Sequence, residues 1–591
     1  MGEWKQCPDM IFYLKIDTGM SRQDFCLKEV KRAAQFIKRK NFKMKKNLKH
    51  KMIERFKENL ARFQKKLERD PVLGFIKKLA RIYPKSEVYL VGGAVRDAAL
   101  GREKKYDYDF VIRGVKAKDL EKFLSKLGKV DLVGKTFGVL KFKPKGFKLK
   151  EAIDIALPRT EHSKEYGGGY RDFEVVSSPD LPIEKDLSRR DFTINAMALA
   201  LKVREIKNKK QKIKNDNLID LFGGLEDLEK RIIRTVGCPE ERFKEDYSRM
   251  LRSIRFSSEL EFDIEKNTWR AIKKLMPHLN DKREVQKKEE RIVPYEVISR
   301  EFLKSLKSNP LKTLDLYDRS GALKLLIPEI LKMKGCPQPK NWHSEGDVWI
   351  HTKLALEKLY SPEFKDQFSM ESPSVELILG VLFHDIGKPL TIQTPERDGT
   401  DRIRFNEHDR IGADLAKRIG RRLKFSSVPE FDVDPERIAW LVKSHLLFLH
   451  GNVEEMRANT IERYFFNEKY NGKDLLGLAF VDALSTIPEK GSPDLENFYK
   501  MLKRIEELKK LGKEKKGLPR PLINGHEIIK KFGLKPGPKI GELLKALREE
   551  QLSGRIKNKR EGFGFLGALI KKSPQPPFPK GELNRLINSG D

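Results

Sequence analysis

The spacing of apolar residues divides the chain into a β-rich part and a helical part. Between about residues 73 and 200, short apolar runs alternate with glycine-rich turns, a pattern that predicts β-strands. The predicted strands cover residues 87–91, 109–112, 139–142 and 152–156. From about residue 218 onward, the apolar positions follow the 3.6-residue period of amphipathic helices, with stops at prolines such as Pro294 and Pro310.

These two patterns of apolar residues predict an α+β, multi-domain protein with an N-terminal α/β head and all-helical segments after it. Residues 1–72 read as a basic helical extension, because apolar positions recur in heptad-like fashion from Ile53 to Leu67. The head covers residues 73–215, and the helical segments cover 216–335, 336–500 and 501–572. Residues 573–591 are rich in proline and glycine and lack a periodic face, so we expect them to be disordered.

The charge of the chain adds an expected partner. Its 591 residues carry a formal net charge of +35, and basic clusters lie at residues 31–51, 202–214 and 503–516. Each cluster alone could be a solvated helix face, but three in one chain favour a polyanion such as RNA, DNA or an acidic surface. The sequence shows no secretory signal, no membrane span and no paired cysteines, so we expect a cytoplasmic protein without disulfides or a thiolate zinc site.

A first group of chemical residues follows the first predicted strand. Gly92 and Gly93 form a turn at the start of a helix, where open backbone N–H groups can bind a triphosphate. Asp107 and Asp109 alternate along the next strand and therefore share a face, which suits a pair of Mg²⁺ ions in phosphoryl transfer. Asp154, on another predicted strand, is placed to supply a third catalytic carboxylate.

Three motifs in this region resemble those of a known family. The segment Leu90–Phe110 is similar to LVGGxVRDxLLGxxxxDxDF, Arg189–Ala198 reads RRDFTINAMA, and Asp220–Arg234 is similar to DxxGGxxDLxxxxIR. Together they resemble the class II tRNA nucleotidyltransferases and bacterial poly(A) polymerases of the polymerase-β superfamily. The resemblance implies that Asp107 and Asp109 bind Mg²⁺. Further residues near the nucleotide would be Gly92, Gly93, Arg96, Arg190, Asp191 and Asn195.

The motif RRDFTINAMA also has a purely structural reading. It can be the start of a helix, with Asp191 as its cap and Met197 in the core.

A base-selecting pair is expected further along the chain. Asp246 and Arg249 lie three residues apart, so on one helix they would share a face. Asp accepts from an exocyclic amine and Arg donates to ring acceptors, so such a pair can read the edge of a base without a template. The resemblance implies that the pair selects CTP or ATP. An ordinary surface ion pair is the alternative. The chain departs from the family in having Tyr247 and Ser248 between the two residues, where Pro-Leu is usual.

Histidines define a second candidate site. Six of the ten histidines lie between residues 343 and 450, and His384 is followed directly by Asp385. This pattern resembles the HD metal-dependent phosphohydrolases and implies the ligands His351, His384, Asp385 and Asp482. His408 and His445 could complete a second metal position. Imidazole and carboxylate without thiolate suit a divalent transition metal such as Mn²⁺ or Ni²⁺.

The resemblance assigns a role to each segment. Residues 73–215 would be the nucleotidyltransferase head, 216–335 a helical neck and body with the base-selection pocket, 336–500 the HD domain and 501–572 an RNA-binding tail. The expected activity is CCA addition to tRNA from CTP and ATP with a second phosphohydrolase activity, and neither DNA nor a membrane is an expected partner.

Three alternatives remain at this point. The enzyme could add poly(A), or only CC or A, although Gly134–Phe142 reads GKTFGVLKF rather than the GRRFR-like segment of one poly(A) branch. It could be an HD phosphohydrolase whose head only holds RNA, or a non-catalytic RNA-binding protein. The oligomeric state does not follow from the sequence.

Overall fold

The computed structural model describes residues 51–102, 108–133, 139–149, 151–163, 168–169, 173–202, 217–285, 287–369, 372–448, 453–467, 469–510 and 519–571. These residues form two compact units. The first contains the described residues from 51 to 161 and from 175 to 236, and the second contains the others. Within the described ranges, every helix falls short of the length and apolarity that crossing a bilayer requires.

Up to Val236, strands and short helices alternate. The helices are α1 (residues 51–69), α2 (Gly74–Ile82), α3 (Gly93–Ala99), α4 (Ala117–Ser125), α5 (Ile183–Ser188) and α6 (Gly224–Lys230). The strands are β1 (Glu87–Val91), β2 (Asp109–Arg113), β3 (Gly128–Val133), β4 (Val139–Pro144), β5 (Ile153–Ala156), β6 (Arg159–Ser163), β7 (Phe173–Ser177), β8 (Met197–Lys202), β9 (Leu218–Asp220) and β10 (Ile232–Ile233). Two 3₁₀ turns, Pro71–Leu73 and Thr193–Asn195, complete this part.

The first unit is built on a seven-stranded mixed sheet with the order β3-β4-β5-β2-β1-β8-β9. Only β2 and β5 run parallel; β1 pairs antiparallel with both β2 and β8. Side chains alternate across the central strands, so Tyr89 and Val91 join a cluster with helix α5, whereas Val88 and Leu90 face the other way. This alternation buries both faces of β1 and explains its continuous apolar run.

Helix α1 belongs to the first unit. Phe56, Leu60, Phe63 and Leu67 are buried at the i, i+4, i+7 and i+11 positions of one helix face. The Phe63 ring packs edge-on against Tyr108, with the ring centroids 6.1 Å apart. The heptad-like pattern from Ile53 to Leu67 therefore marks a face that packs on the sheet, while residues 1–50 lie outside the described part of the chain.

From Gly237 onward, helices dominate. They are α7 (Pro239–Glu245), α8 (Ser248–Leu260), α9 (Lys266–Leu275), α10 (Tyr295–Ser308), α11 (Pro310–Ser320), α12 (Ala322–Leu326), α13 (Pro328–Leu331), α14 (Val348–Lys358), α15 (Pro362–Phe368), α16 (Val375–Phe383), α17 (Lys388–Thr391), α18 (Pro395–Asp398), α19 (His408–Arg422), α20 (Pro435–Ser444), α21 (Ala458–Phe465), α22 (Gly472–Ser485), α23 (Glu496–Lys510), α24 (Gly525–Phe532), α25 (Pro538–Leu552) and α26 (Lys559–Lys571). The 3₁₀ turns are Met276–Asn280, Phe425–Ser427 and His445–Phe448. The short strands are β11 (Asp263–Ile264), β12 (Lys282–Val285) and β13 (Lys288–Arg291).

One hydrophobic core runs through the second unit from α7 to α23, and α24–α26 have a smaller core of their own. Helix α16 is buried along its whole length, which explains its uninterrupted apolar sequence. The two prolines named as stops lie at helix starts: Pro294 precedes α10 directly, and Pro310 occupies the first turn of α11, where a missing N–H costs nothing.

The predicted fold class, a mixed-sheet head followed by largely helical segments, is confirmed. Local details differ. Strand β3 was missed because its residues are mostly exposed and carry little apolar signal. RRDFTINAMA does not start a helix: after a single 3₁₀ turn, β8 begins at the fully buried Met197. In the helical part, β12 and β13 form a hairpin.

Candidate active sites

The first candidate site lies at the start of β2. Asp109 is the first residue of that strand, and its side chain is exposed. In the parallel pairing of β2 with β5, Asp109 lies directly opposite Asp154, so two carboxylates from neighbouring strands meet on one face. Carboxylate oxygens are the ligands that Mg²⁺ prefers, so these donors fit that ion. Asp107 lies outside the described residues.

A lysine holds one of these carboxylates. Lys141 of β4 pairs with Asp154 across the antiparallel ladder, and its Nζ donates to both carboxylate oxygens at 2.8 and 3.1 Å. Both side chains are partly exposed, with fractions of 42% and 34%, so the ion pair adds little to stability. It does balance the charge of a carboxylate beside Asp109, a contact that the sequence did not indicate.

The glycine turn lies against the same site. Gly92 has a φ of +74°, which disfavours any residue with a side chain. A Cβ there would lie 3.0 Å from Nη1 of Arg190 and 3.7 Å from Oδ2 of Asp109. Glycine therefore lets the backbone approach both the guanidinium and the carboxylate. Gly93, the next residue, starts α3.

Arg190 is oriented by a buried carboxylate. Its Nη2 donates to Oδ2 of Asp186 at 3.0 Å, and Arg189 donates to Oδ1 of the same residue. Asp186 is fully buried, and burial by itself would raise its pKa, but the charges of Arg190 and Arg189 hold that pKa below its ordinary value. The sequence reasoning missed Asp186. The signal was present, since Asp186 and Arg190 are spaced i, i+4.

A second polar chain joins the turn helix to the RRDFT segment. Nη1 of Arg96 donates to Oδ1 of Asn195 at 2.8 Å, and Nδ2 of Asn195 donates to Oδ1 of Asp191 at 3.3 Å. All three side chains are buried. Oδ1 of Asp191 also accepts from the backbone N–H of Phe192 at 2.9 Å. Asp191 and Asn195 therefore hold this loop in shape, besides any contact with a ligand.

The proposed base-selecting residues are both buried, but they do not lie on one helix. Helix α7 ends at Glu245 and α8 begins at Ser248, so Asp246 occupies an extended position between them. The prediction of a shared helix face is wrong, because the carboxylate of Asp246 accepts from the backbone N–H of Ser248 at 2.8 Å and starts the new helix. Burial raises the pKa of Asp246. Arg249 donates to Glu245.

The second candidate site gathers residues from five helices. His351 comes from α14, His384 and Asp385 follow α16, His408 starts α19, His445 follows α20, and Asp482 lies on α22. All four histidines and Asp385 are buried. His351 Nε2 lies 3.0 Å from Oδ1 of Asp482, and His384 Nε2 lies 3.5 Å from the same oxygen. Helix packing thus brings together residues that are up to 131 positions apart.

Each imidazole is oriented by its other nitrogen. Nδ1 of His384, His408 and His445 donates to the carbonyl oxygen of Val381, Phe405 and Val442, respectively, at 2.6–2.7 Å. Nε2 of each imidazole therefore faces the centre, and in His408 and His445, whose pKa values are lowered by burial, this atom carries the lone pair. Nε2 of His408 and Nε2 of His445 are 3.3 Å apart, two acceptors directed at one another. A divalent cation between such acceptors would remove their repulsion, so these residues fit a metal.

Asp385 joins two groups of potential ligands. One group contains His351, His384 and Asp385, and the other contains Asp385, His408 and His445. Oδ2 of Asp385 lies 3.3 Å from His384, and Oδ1 lies 3.6 Å from His408. One carboxylate shared by two sets of imidazoles suits a pair of metal ions. His384 Nε2 is buried and has no aligned hydrogen bond, which also fits an ion.

The carboxylates control the charge of this centre. Burial by itself would lower the pKa of His384, but Asp385 and Asp482 raise it to about 10. Burial and the neighbouring histidines lower the pKa of His445 to about 3. The pKa of Asp385 is held well below its ordinary value by His384 and Lys388, against the effect of burial. The centre therefore keeps its carboxylates ionised.

Two residues that sequence reasoning did not single out support this centre. Oε1 of Glu345 accepts from Nδ1 of His343 at 2.7 Å and from Nδ1 of His351 at 2.8 Å, which turns Nε2 of His351 inward. Burial by itself would raise the pKa of Glu345, but these two hydrogen bonds lower it to about 2. Lys388 is buried, and its Nζ lies 2.7 Å from Oδ2 of Asp385.

A close backbone contact fixes the start of α19 against the His-Asp turn. A Cβ on Gly387 would lie 2.1 Å from the carbonyl oxygen of His408, so this position admits only glycine without a shift of the backbone. His343 contacts Glu345, and its ring lies edge-on against that of His351. His450 lies outside the described residues.

Three family models match the chain. Residues 88–234 match the Poly A polymerase head domain, 349–484 match the HD domain, and 503–563 match domain 2 of tRNA nucleotidyltransferases.

Curated relatives come from the same group of enzymes. The A-adding tRNA nucleotidyltransferase of Deinococcus radiodurans is 32% identical over 397 residues, 66% of this chain and 80% of the relative. The CC-adding enzyme of Thermus thermophilus is 31% identical over 487 residues, 82% and 94% of the two chains. A multifunctional CCA protein of Vibrio vulnificus is 36% identical over 309 residues, which cover 52% of this chain and 64% of the relative.

A solved structure agrees in fold. The CCA-adding enzyme of Bacillus stearothermophilus in complex with CTP aligns with a TM-score of 0.53 at 22% identity, covering 84% of this chain and 96% of that one. Because the Deinococcus and Thermus relatives exceed 30% identity over most of their own length, the relationship does not depend on the fold alone. The chain belongs to the class II CCA tRNA nucleotidyltransferase family, and it combines a poly(A) polymerase-type head, an HD domain and a segment that matches domain 2 of tRNA nucleotidyltransferases.

Proposed function

We propose that this enzyme adds the complete CCA sequence, transferring CMP and AMP from CTP and ATP to the 3′ end of tRNA. The observation that carries the proposal is the in-register pair of Asp109 and Asp154 beside the Gly92 turn and Arg190. In the reaction, the 3′-hydroxyl of the tRNA attacks the α-phosphate and pyrophosphate leaves. The net charge of +35 suits a polyanionic substrate.

The residues of the head would have different roles in nucleotidyl transfer. Asp107 and Asp109 would hold Mg²⁺, and Asp154 would add a third carboxylate; the ion supplies Lewis-acid stabilisation of the phosphate charge when bound. Arg190, fixed by Asp186 and lying against Gly92, would bind triphosphate oxygens. Gly92 and Gly93 admit the triphosphate because no side chain stands in its way.

Transcripts of three lengths test the specificity. A tRNA ending before CCA, one ending in C and one ending in CC are each incubated with CTP alone, ATP alone and both nucleotides. We expect CTP alone to extend the first two transcripts up to CC, and ATP to extend only the third, by one residue. Addition of CC only, or of A only, would place the enzyme with its Thermus or Deinococcus relative. Long A tails on any RNA would contradict the proposal.

Nucleotide choice is expected to depend on Asp246. Replacing Asp246 by Asn exchanges an acceptor for a donor, so it should lower discrimination against UTP and GTP by about tenfold to a hundredfold. Arg249→Lys should act in the same direction, because lysine cannot offer two fixed donors. Misincorporation is measured by sequencing product 3′ ends. Asp263→Asn, an exposed position in the same unit, is the control and should leave the ends unchanged.

For the HD domain we propose hydrolysis of a phosphoester, namely a 2′,3′-cyclic phosphate or a 2′-phosphate on RNA or a nucleotide. His351, His384, Asp385 and Asp482 would hold a divalent transition metal such as Mn²⁺ or Ni²⁺, with His408 and His445 at a second position. The ion activates water when bound. Lys388, buried beside Asp385, would attract the phosphate.

Glu345 is expected to act through His351. Glu345→Gln removes the charged acceptor that orients the imidazole, so the affinity for Mn²⁺ should fall by about tenfold to a hundredfold. Calorimetric titration of purified protein with Mn²⁺ measures this change. Glu396→Gln, at an exposed position in α18, is the control. An unchanged affinity in the Glu345 variant would show that His351 is held without it.

A further inference from the structure

Helix α1 contacts the first candidate site from outside the matched head domain. It covers residues 51–69, whereas the match to the head-domain model begins at residue 88. The helix belongs to the first unit, and two of its side chains, Asn59 and Phe63, contact the segments that carry the site's residues. Specific contacts therefore join α1 to the site, in addition to its apolar face.

Phe63 packs on the residue that precedes Asp109. The Phe63 and Tyr108 rings are both buried and meet edge-on, with their planes 61° apart. Tyr108 also packs edge-on against Phe110, with the ring centroids 6.1 Å apart. Both neighbours of Asp109 thus lie on the buried face of the strand, while the Asp109 side chain is exposed on the opposite face. Edge-to-face contact is a favourable orientation of two rings, so Phe63 restricts the position of Tyr108.

The backbone of Tyr108 is joined to both carboxylate residues. Asp109 is the next residue, and the carbonyl oxygen of Tyr108 accepts from the backbone N–H of Asp154 at 3.1 Å. This hydrogen bond extends the parallel pairing that places Asp154 opposite Asp109. A shift of Tyr108 would therefore move one carboxylate and loosen the strand that carries the other. Misplacing a reacting group by about 1 Å can lower a rate by about a hundredfold.

Asn59 holds the helix that follows the glycine turn. Its Nδ2 donates to the carbonyl oxygen of Ala99 at 2.9 Å, and Ala99 is the last residue of α3. The last carbonyl groups of a helix have no partner within it, so a side-chain donor restrains that end. Because α3 is short and begins at Gly93, a restraint at Ala99 also limits movement of the turn.

We propose that Phe63 and Asn59 are positioning residues of nucleotidyl transfer. Phe63 fixes the two carboxylates through Tyr108, and Asn59 fixes the glycine turn through α3. The inference rests on the assignment of Asp109 and Asp154 to transfer, and it adds to that site a helix that precedes the matched head domain. If α1 only docked on the sheet, changes at Phe63 would affect folding alone.

The first test removes the ring of Phe63. Phe63→Leu keeps an apolar side chain, so kcat for transfer of the accepted nucleotide to tRNA should fall by about tenfold, while its KM stays within about twofold of the wild-type value. Phe56→Leu is the matched control. Phe56 is equally buried on the same face of α1, and it has no ring contact within the part of the chain that the structure describes. This variant should lose similar stability, measured as melting temperature, and keep the wild-type kcat.

Amide hydrogen exchange gives a readout that does not depend on activity. It is measured on the same full-length variants without metal or nucleotide. Because the N–H of Asp154 donates to Tyr108, exchange of a peptide covering β5 should accelerate by about tenfold in Phe63→Leu and stay at the wild-type rate in Phe56→Leu. Equal kcat in the two folded leucine variants, or equal exchange of β5, would overturn the inference.

A second variant tests Asn59 at a half-buried position where the fold is less at risk. Asn59→Asp keeps the size of the side chain but replaces the donor by an acceptor that repels the Ala99 carbonyl. KM for the nucleotide should rise by about fivefold, with kcat near the wild-type value. Glu58→Gln, at the exposed neighbouring position, is the control. A wild-type KM in Asn59→Asp would overturn the role of Asn59. Addition of CC only, or of A only, would contradict the proposed specificity and leave these comparisons between variants unchanged.

Discussion

Replacing Asp109 by asparagine is expected to lower nucleotidyl transfer by about a thousandfold or more, while the HD activity remains at the wild-type level. Asparagine has nearly the same shape, so the pairing of β2 with β5 should persist. It lacks the negative charge that a Mg²⁺ ligand needs, and a bound metal contributes several kcal/mol to stabilising phosphoryl transfer. The rate is measured as incorporation of labelled CMP into tRNA that ends before CCA.

The control for this variant lies in the same sheet. Asp131 of β3 is exposed and pairs with the exposed Lys129, so Asp131→Asn removes one carboxylate of the head without touching the site. It should transfer CMP at the wild-type rate. If Asp109→Asn keeps its activity within about tenfold, the β2 carboxylate is not a metal ligand and the assignment of this site is wrong.

Replacing Asp385 by asparagine is expected to remove phosphohydrolysis, by about a thousandfold or more, and to leave transfer intact. Asp385 is the residue common to both groups of potential ligands, so its loss affects both metal positions at once. The change also leaves the buried Lys388 without its charged partner, although its hydrogen bond to Gln338 remains, so some loss of stability is expected. Hydrolysis of a 2′,3′-cyclic nucleotide and bound metal per chain are both measured.

Asp432 offers a matched carboxylate in the same domain. Its side chain is 95% exposed, and Asp432→Asn should keep both metal and activity. His384→Ala separates loss of metal from loss of fold, because it removes one imidazole ligand and leaves the pair of Asp385 and Lys388 in place. Phosphohydrolysis that survives in folded His384→Ala protein would remove the HD assignment.

Residues close in sequence were the easier part of the site to predict. Gly92, Gly93 and Asp109 belong to one strand-turn-helix-strand segment, whose apolar runs and glycines can be recognised in the sequence. Asp154 could be expected near Asp109 because both belong to short apolar runs of one predicted sheet, whereas their direct register depends on strand order. Local patterns therefore describe the first site well, apart from Asp107, which lies outside the described residues.

Contacts that depend on tertiary packing could not be predicted from local sequence patterns. Nothing in the spacing of Lys141 reveals that it will pair with Asp154, because the contact depends on strand order. Glu345 is six residues from His351, and only the bend before α14 brings it to that imidazole. The spacing of Asp246 and Arg249 gave a wrong prediction of a shared helix face, because an i, i+3 interval implies such a face only when the helix is continuous.

The central claim is that one chain carries two separate metal centres, one for nucleotidyl transfer and one for phosphohydrolysis. The most direct test measures both activities on the same preparations of wild type, Asp109→Asn and Asp385→Asn. We predict reciprocal loss: the first variant hydrolyses but does not transfer, and the second transfers but does not hydrolyse. Loss of both activities in either folded variant would contradict two independent centres.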